Sequence, residues 1–128
     1  MSLDKNMRVL IVDDYNTMLR ILRNLLRQLD INNVEEATDG EKALDIMRRQ
    51  PCDLVISDWN MAPMTGIELL RNVRSDERLR RTPFIMVTAE SKTENVITAK
   101  QAGVSNYIVK PFNAETLRNK IESVFVRH

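Results

Sequence analysis

The chain has 128 residues, 43% of them hydrophobic and 29% charged, with 3 Gly and 4 Pro; that suits one compact domain over residues 1–128, without a separate output domain. Its 19 Lys and Arg against 18 Asp and Glu leave a formal net charge of +1, which argues against a nucleic-acid binder. No apolar run approaches the roughly 20 residues that span a bilayer.

The N-terminal stretch Met1-Ser2-Leu3-Asp4-Lys5 has no signal-peptide core. The lone Cys52 cannot pair internally and the sole histidine is the last residue, His128. A cytoplasmic monomer that uses no imidazole chemistry is expected.

Arg8-Val9-Leu10-Ile11-Val12 is a short β-branched run, apolar enough for a strand buried on both faces. Met18, Leu19, Leu22, Leu25, Leu26 and Leu29 follow at helical spacing, with Arg20, Arg23 and Arg27 opposite. Val34-Glu35-Glu36-Ala37 reads as a more polar strand at an edge. Asp39 is a suitable N-cap for a helix carrying Ala43, Leu44 and Met47, which Pro51 stops. Leu54-Val55-Ile56-Ser57-Asp58 is the next buried strand. Thr65-Gly66-Ile67-Glu68 matches a capping box, opening a helix with Ile67, Leu70 and Val73 on one face. Pro83-Phe84-Ile85-Met86-Val87-Thr88 predicts a fourth strand. Ser91-Lys92-Thr93-Glu94 matches a second capping box, before a helix with Val96, Ile97 and Ala99 that ends near Gly103. Tyr107-Ile108-Val109 is a fifth strand, Pro111 breaks it, and Asn113 caps a last helix with Leu117, Ile121 and Phe125 inward. Strict alternation of strand and helix implies a parallel sheet covered on both sides. The expected fold is a doubly wound, flavodoxin-like α/β sandwich with strand order 2-1-3-4-5.

In such a sheet ligands bind beyond the carboxyl ends of the strands, where the strand order reverses. That point falls between the first strand, ending in Asp13-Asp14, and the third, ending in Asp58; the fourth and fifth deliver Thr88 and Lys110 to the same edge. Like charges at close range raise one another's pKa unless a cation intervenes. Two carboxylates, a main-chain carbonyl and waters describe a Mg²⁺ site that keeps positions open for a phosphate. The plainer account is an Asp that caps the first helix and an ordinary Asp58–Lys110 ion pair. It covers either pair alone, but not all of these polar residues at four strand ends. Asp58 is then a candidate nucleophile toward phosphorus, giving an acyl phosphate. The cation, the Lys110 ammonium and the Thr88 hydroxyl could each take a phosphoryl oxygen. No side chain is placed to act as a strong general base, so the phosphodonor must arrive already activated.

Val12-Asp13-Asp14, Ser57-Asp58-Trp59-Asn60-Met61, Val87-Thr88-Ala89-Glu90 and Val109-Lys110-Pro111-Phe112 resemble the response-regulator receiver family. The resemblance covers essentially the whole chain and points, within the family, to stand-alone chemotaxis regulators of the CheY type. The 2-1-3-4-5 order is known for that group, so the topology is partly recognised and not wholly derived. The resemblance implies that Asp58 accepts a phosphoryl group from a phosphohistidine on a sensor kinase. It implies one Mg²⁺ held directly by Asp14, Asp58 and the Asn60 carbonyl, and through water by Asp13. Lys110 would contact the phosphoryl group and form a cis peptide with Pro111. Thr88 would move toward the phosphoryl oxygen and Tyr107 would swing in behind it. That would remodel the face of helix four, strand five and helix five, for which Lys92, Ala99, Tyr107 and Lys120 are candidates. The implied output is the flagellar motor switch, with a phosphatase partner left open. Asn60 and Glu90 stand where related regulators tune autodephosphorylation. One stretch departs from the pattern: Met61 is followed by Ala62, with the proline at Pro63, and Thr65 stands where Asp or Asn is common. An altered metal affinity at an unchanged site is expected from it.

Tyr107 by itself would read as edge packing; the resemblance favours the switch role. Trp59 is expected to be partly exposed and useful as a reporter. Arg78, Arg80 and Arg81 read as a solvated loop, and the methionines as core filler. Among rivals, a Mg²⁺-dependent phosphohydrolase needs a second Asp two residues after the nucleophile, where this chain has Asn60. A flavin carrier needs a neutral phosphate loop after the first strand, where Asp13-Asp14 would repel the phosphate. A phosphate sink, draining the kinase without touching the motor, is not separated by sequence.

Overall fold

The computed structural model describes residues 5–89 and 92–126. Strands and helices alternate in the order β1 (Val9–Val12), α1 (Asn16–Gln28), β2 (Val34–Ala37), α2 (Gly40–Arg49), β3 (Leu54–Asp58), α3 (Gly66–Ser75), β4 (Phe84–Thr88), α4 (Thr93–Gln101), β5 (Asn106–Val109) and α5 (Ala114–Val126). The sheet is parallel throughout, with order β2-β1-β3-β4-β5. Polar β2 lies at an edge, as its sequence predicts. No helix among the described residues is long and apolar enough to cross a membrane.

The period-two pleat divides the core between the faces of the sheet. Val9, Ile11, Leu54, Ile56 and Ile85 pack with Leu19, Leu22 and Leu26 of α1 and Leu117 and Ile121 of α5. Leu10, Val12, Val55, Phe84 and Met86 pack with Ala43 and Met47 of α2, Leu70 and Val73 of α3 and Ala99 of α4. Central strands buried on both faces explain why β1, β3 and β4 are continuous apolar runs.

Local signals set most helix starts. The Asp39 carboxylate accepts from the Lys42 amide at 2.8 Å, and Asn113 accepts from the Thr116 amide at 2.8 Å. Thr65 and Glu68 form the complete reciprocal capping box. One reading falls on a residue outside those described, and one needs correction. The expected second box has its Ser91 outside the described residues; α4 begins at Thr93, with Lys92 at the N-cap position and no side-chain cap. Phe125 is not inward but 42% exposed, because α5 meets the sheet through Leu117 and Ile121.

Helices α1 and α4 end in the same way. Ile31 N donates to Leu26 O and Asp30 N to Arg27 O; Val104 N donates to Ala99 O and Gly103 N to Lys100 O. These are Schellman pairs, which place one residue in the left-handed region. Gly103 takes that position at φ 93°, but Asp30 takes it at φ 63° with a side chain. The exposed Lys5–Asp30 ion pair at 3.4 Å is worth little in water. Replacing Asp30→Gly is therefore expected to raise stability by about 0.5–1 kcal/mol. An unchanged or lower urea midpoint would contradict this.

Candidate functional site

Parallel pairing brings the ends of β1, β3, β4 and β5 to one edge. Val12 lies beside Ser57, Asp58 beside Val87, and Thr88 beside Val109. The residues that follow or end these strands therefore share a small volume. Asp13, Asp58 and Thr88 are all buried there, and Lys110 is partly covered. Lys110 Nζ stands 2.9 Å from Asp58 Oδ1. The contact lies outside hydrogen-bond geometry, so this buried oxygen has a charge partner but no hydrogen-bond donor.

Asp13 carries a divided role. Its Oδ1 accepts from the Tyr15 amide at 2.9 Å, shaping the turn into α1, while Oδ2 is buried without a hydrogen-bond partner. Burial, more than any other cause, pushes its pKa up to about 6; the Asp58 and Asp14 charges add to this, and the Tyr15 amide and Lys110 oppose it. Asp14 is exposed at the rim.

The loop after β3 is held tightly despite its unusual sequence. Gly66 N donates to Trp59 O at 2.8 Å. A side chain at Gly66 would run into the Asp58 carbonyl oxygen and Trp59 Cα, so only glycine permits this approach. The peptides Ala62-Pro63 and Lys110-Pro111 are both cis. Asn60 is exposed at the start of the loop, and no hydrogen bond from the described residues reaches its main-chain carbonyl.

Among the described residues no three acidic, His or Cys side chains form a ready metal cage. Mg²⁺ does not ask for one: it keeps several waters and uses one or two carboxylates. The unbonded Oδ2 of Asp13, the Asp58 carboxylate with only an ammonium beside it, the exposed Asp14 and the open Asn60 carbonyl fit that demand.

Behind the site, Thr88, Trp59, Asn95, Val96, Ala99 and Tyr107 line one small apolar cavity. Trp59 is half-buried. Lys120 Nζ stands 5.2 Å from the centre of the Tyr107 ring, a cation–π distance. Of the four candidates for a partner face, Lys92 is exposed and Tyr107 and Lys120 half-exposed. Ala99 is not available, since it is 1% exposed. Glu90 lies outside the described residues. Sequence spacing missed Asn95 and Val96 as cavity walls, because only the packing of α4 on β4 and β5 makes them so.

A model of the response regulator receiver domain matches residues 9–122. The chain belongs to the response regulator receiver family. Chemotaxis protein CheY-3 of Vibrio cholerae is 54% identical over 125 residues, covering 98% of this chain and 96% of the relative. Chemotaxis protein CheY of Pseudomonas aeruginosa is 54% identical over 121 residues, covering 94% and 98%. The crystal structure of Vibrio cholerae CheY4, 35% identical, superposes with a TM-score of 0.87 over 93% of this chain and 98% of that one. The receiver domain of a Pseudomonas aeruginosa sensor histidine kinase is 27% identical with a TM-score of 0.82, over 91% of this chain and 95% of its own. That structure holds a magnesium ion coordinated in its active-site cleft.

The Asp13 environment makes a pH prediction for the receiver kept metal-free with a chelator. Its carboxyl binds a proton more tightly folded than unfolded, so its burial penalty is full above about pH 6 and lifts as pH falls toward the unfolded value of 3.8. Wild type should gain up to about 3 kcal/mol relative to Asp13→Asn across that window. A stability difference that stays flat in urea titrations from neutral to acid pH would contradict it.

Proposed function

We propose that this receiver is a phosphorylation-controlled chemotaxis regulator acting in the cytoplasm. Asp58 accepts a phosphoryl group from a phosphohistidine of a sensor kinase, and the phosphorylated form engages the flagellar motor switch. The observation that carries the reading is a buried Asp58 carboxylate, 2.9 Å from Lys110 Nζ, at the reversal of strand order beside a second buried carboxylate. A purely structural aspartate would have its oxygens hydrogen-bonded; Asp13 keeps Oδ2 without a donor, and Asp58 Oδ1 is met by the Lys110 ammonium alone. The names of the 54% identical relatives support the chemotactic assignment.

Asp14, Asp58 and the Asn60 carbonyl would hold Mg²⁺, with Asp13 reaching it through water. The ion supplies positive charge to phosphoryl oxygens in a site that is otherwise too acidic for them. In the transfer, an Asp58 oxygen forms its bond to phosphorus as the phosphorus–nitrogen bond of the donor breaks. The imidazole leaves with that electron pair, so no general base is required. Lys110 holds its ammonium against the developing charge. Once Asp58 carries the group, its charge approaches −2. The Thr88 hydroxyl is then drawn to a phosphoryl oxygen, and the space it leaves favours an inward Tyr107. Asn60, in place of an acid–base aspartate, fits a slow self-dephosphorylating switch better than a phosphomonoesterase.

Incubation with Mg²⁺ and acetyl phosphate should add the mass of one phosphoryl group and change Trp59 fluorescence, and Asp58→Asn should do neither. An adduct that persists in Asp58→Asn would place the acceptor elsewhere. Thr88→Val should still be phosphorylated but lose coupling to the distal face by about 1.5–3 kcal/mol, the worth of a hydrogen bond to a charged group. Retention of motor switch protein by the phosphorylated form only would support the motor output. Phosphorylation that drains the kinase without such retention would instead make the receiver a phosphate sink.

A further inference from the structure

Helix α4 is fastened at its C-terminal end, which closes in the complete Schellman pair at Gly103. At its N-terminal end Lys92, in the N-cap position, makes no side-chain cap among the described residues. Ala99 is its one fully buried side chain among those described, and Ile97 is 48% exposed. A helix held this lightly has few contacts to lose when it moves.

Arg74, in the last turn of α3, stands against the fastened end. Its Nε donates to the Gly103 carbonyl at 2.8 Å. Its Nη1 donates to the carbonyls of Thr82 at 2.6 Å and Arg80 at 3.0 Å, and Nη2 reaches Ser105 Oγ at 3.4 Å. These oxygens come from two separate segments, the loop into β4 and the turn from α4 to β5. Among the described residues no carboxylate pairs with Arg74, and burial pushes its pKa below the ordinary arginine value. A surface arginine would keep its head in water. This one is placed so that its planar fork joins carbonyls of two separate segments.

Ser105 extends the reach of the clamp. Its amide donates to Phe84 O at 2.9 Å, and its hydroxyl accepts from Phe84 N at 2.9 Å. Immediately beyond, β5 pairs with β4 from Ile85 and Asn106 onward, which sets Tyr107 beside Met86 and Val109 beside Thr88.

We propose that Arg74 is a positioning residue of the switch: it pins the α4–β5 junction, so that α4 pivots at Gly103 and its movement is confined to the N-terminal turns beside Thr88. The trigger for the movement rests on the receiver reading above; the clamp itself does not. Without the pin, the displacement would spread into the junction and loosen the strand that carries Tyr107.

The test is amide hydrogen exchange on wild type, Arg74→Lys and Arg74→Met, each with and without Mg²⁺ and beryllofluoride, a phosphoryl mimic. In unliganded protein, exchange at residues 102–106 should rise about tenfold or more in Arg74→Met, less in Arg74→Lys. The central strand at residues 54–58 should change only by the global loss of stability, measured separately in urea. With beryllofluoride, wild type should change at residues 92–98 and stay unaltered at 102–106, whereas Arg74→Met should change at both. Equal protection of 102–106 in all three proteins would overturn the clamp. So would a wild-type response at 102–106 as large as that at 92–98. Should Arg74→Met not fold, Arg74→Lys carries the same comparison. A wild type indifferent to beryllofluoride would sink the receiver reading, while the unliganded arms would still decide the clamp.

Discussion

The Asp58 carboxylate and the Lys110 ammonium meet at 2.9 Å in a sheet edge where Asp58 is almost wholly withdrawn from water. Taking each ion out of water costs several kcal/mol even after the surroundings relax. Asp13 adds a second buried carboxylate with no ammonium of its own. Such an edge survives only on a stable platform, and β1, β3 and β4 provide it with strands whose apolar residues are almost entirely buried. Rigidity is needed for the same reason. The Gly66–Trp59 bond, the Thr65–Glu68 box and the Asp13–Tyr15 turn each fix a loop that would otherwise let the charges drift apart or flood with water.

The two halves of the molecule are built to different standards of firmness. The chemical edge is tied to the sheet's central strands. Helix α4 has little burial of its own and covers a small cavity between Thr88 and Tyr107. Interiors are close-packed, so a side chain that leaves such a cavity invites another to fill it. On the proposed reading, a change of charge at Asp58 is converted into a change of shape where the packing is thinnest, on the α4 side of the sheet.

Much of this was legible in the residues themselves. Apolar runs bounded by Asp13, Asp58, Thr88 and Lys110 specify both the buried strands and the edge their ends share, because a parallel sheet must bring those ends together. Asp39, Thr65 and Asn113 announce their helices by local hydrogen-bonding chemistry. What was not legible depends on contacts distant in sequence. Phe125 continues the i+4 spacing of Leu117 and Ile121, yet it is Val124 that packs on the core in the last turn, and Phe125 is left exposed. Ala99 looks like any small residue on a surface helix, and only the packing of α4 hides it. Arg74 sits among many other arginines, and nothing local distinguishes a guanidinium bonded to carbonyls 29 and 8 residues away from one in water. Asp30 is a case of the opposite kind: the turn after α1 asks for glycine, and the sequence does not supply it.

The energetics also constrain how a switch of this kind can work on the proposed reading. Adding roughly one further negative charge beside Asp13 is tolerable only if cationic charge is already in place. Lys110 is largely engaged with Asp58 before any transfer. The extra charge must therefore be met by a bound cation and by whatever neutral donor can approach, and Thr88 is the buried hydroxyl at the same edge. A neutral hydroxyl contributes less than an ion does, about 1.5–3 kcal/mol toward a charged acceptor. That is enough to shift a two-state equilibrium by one or two orders of magnitude, and not enough to lock it. The weakness of the Thr88 link is thus what keeps the signal reversible, while the cation, not the hydroxyl, bears the electrostatic load.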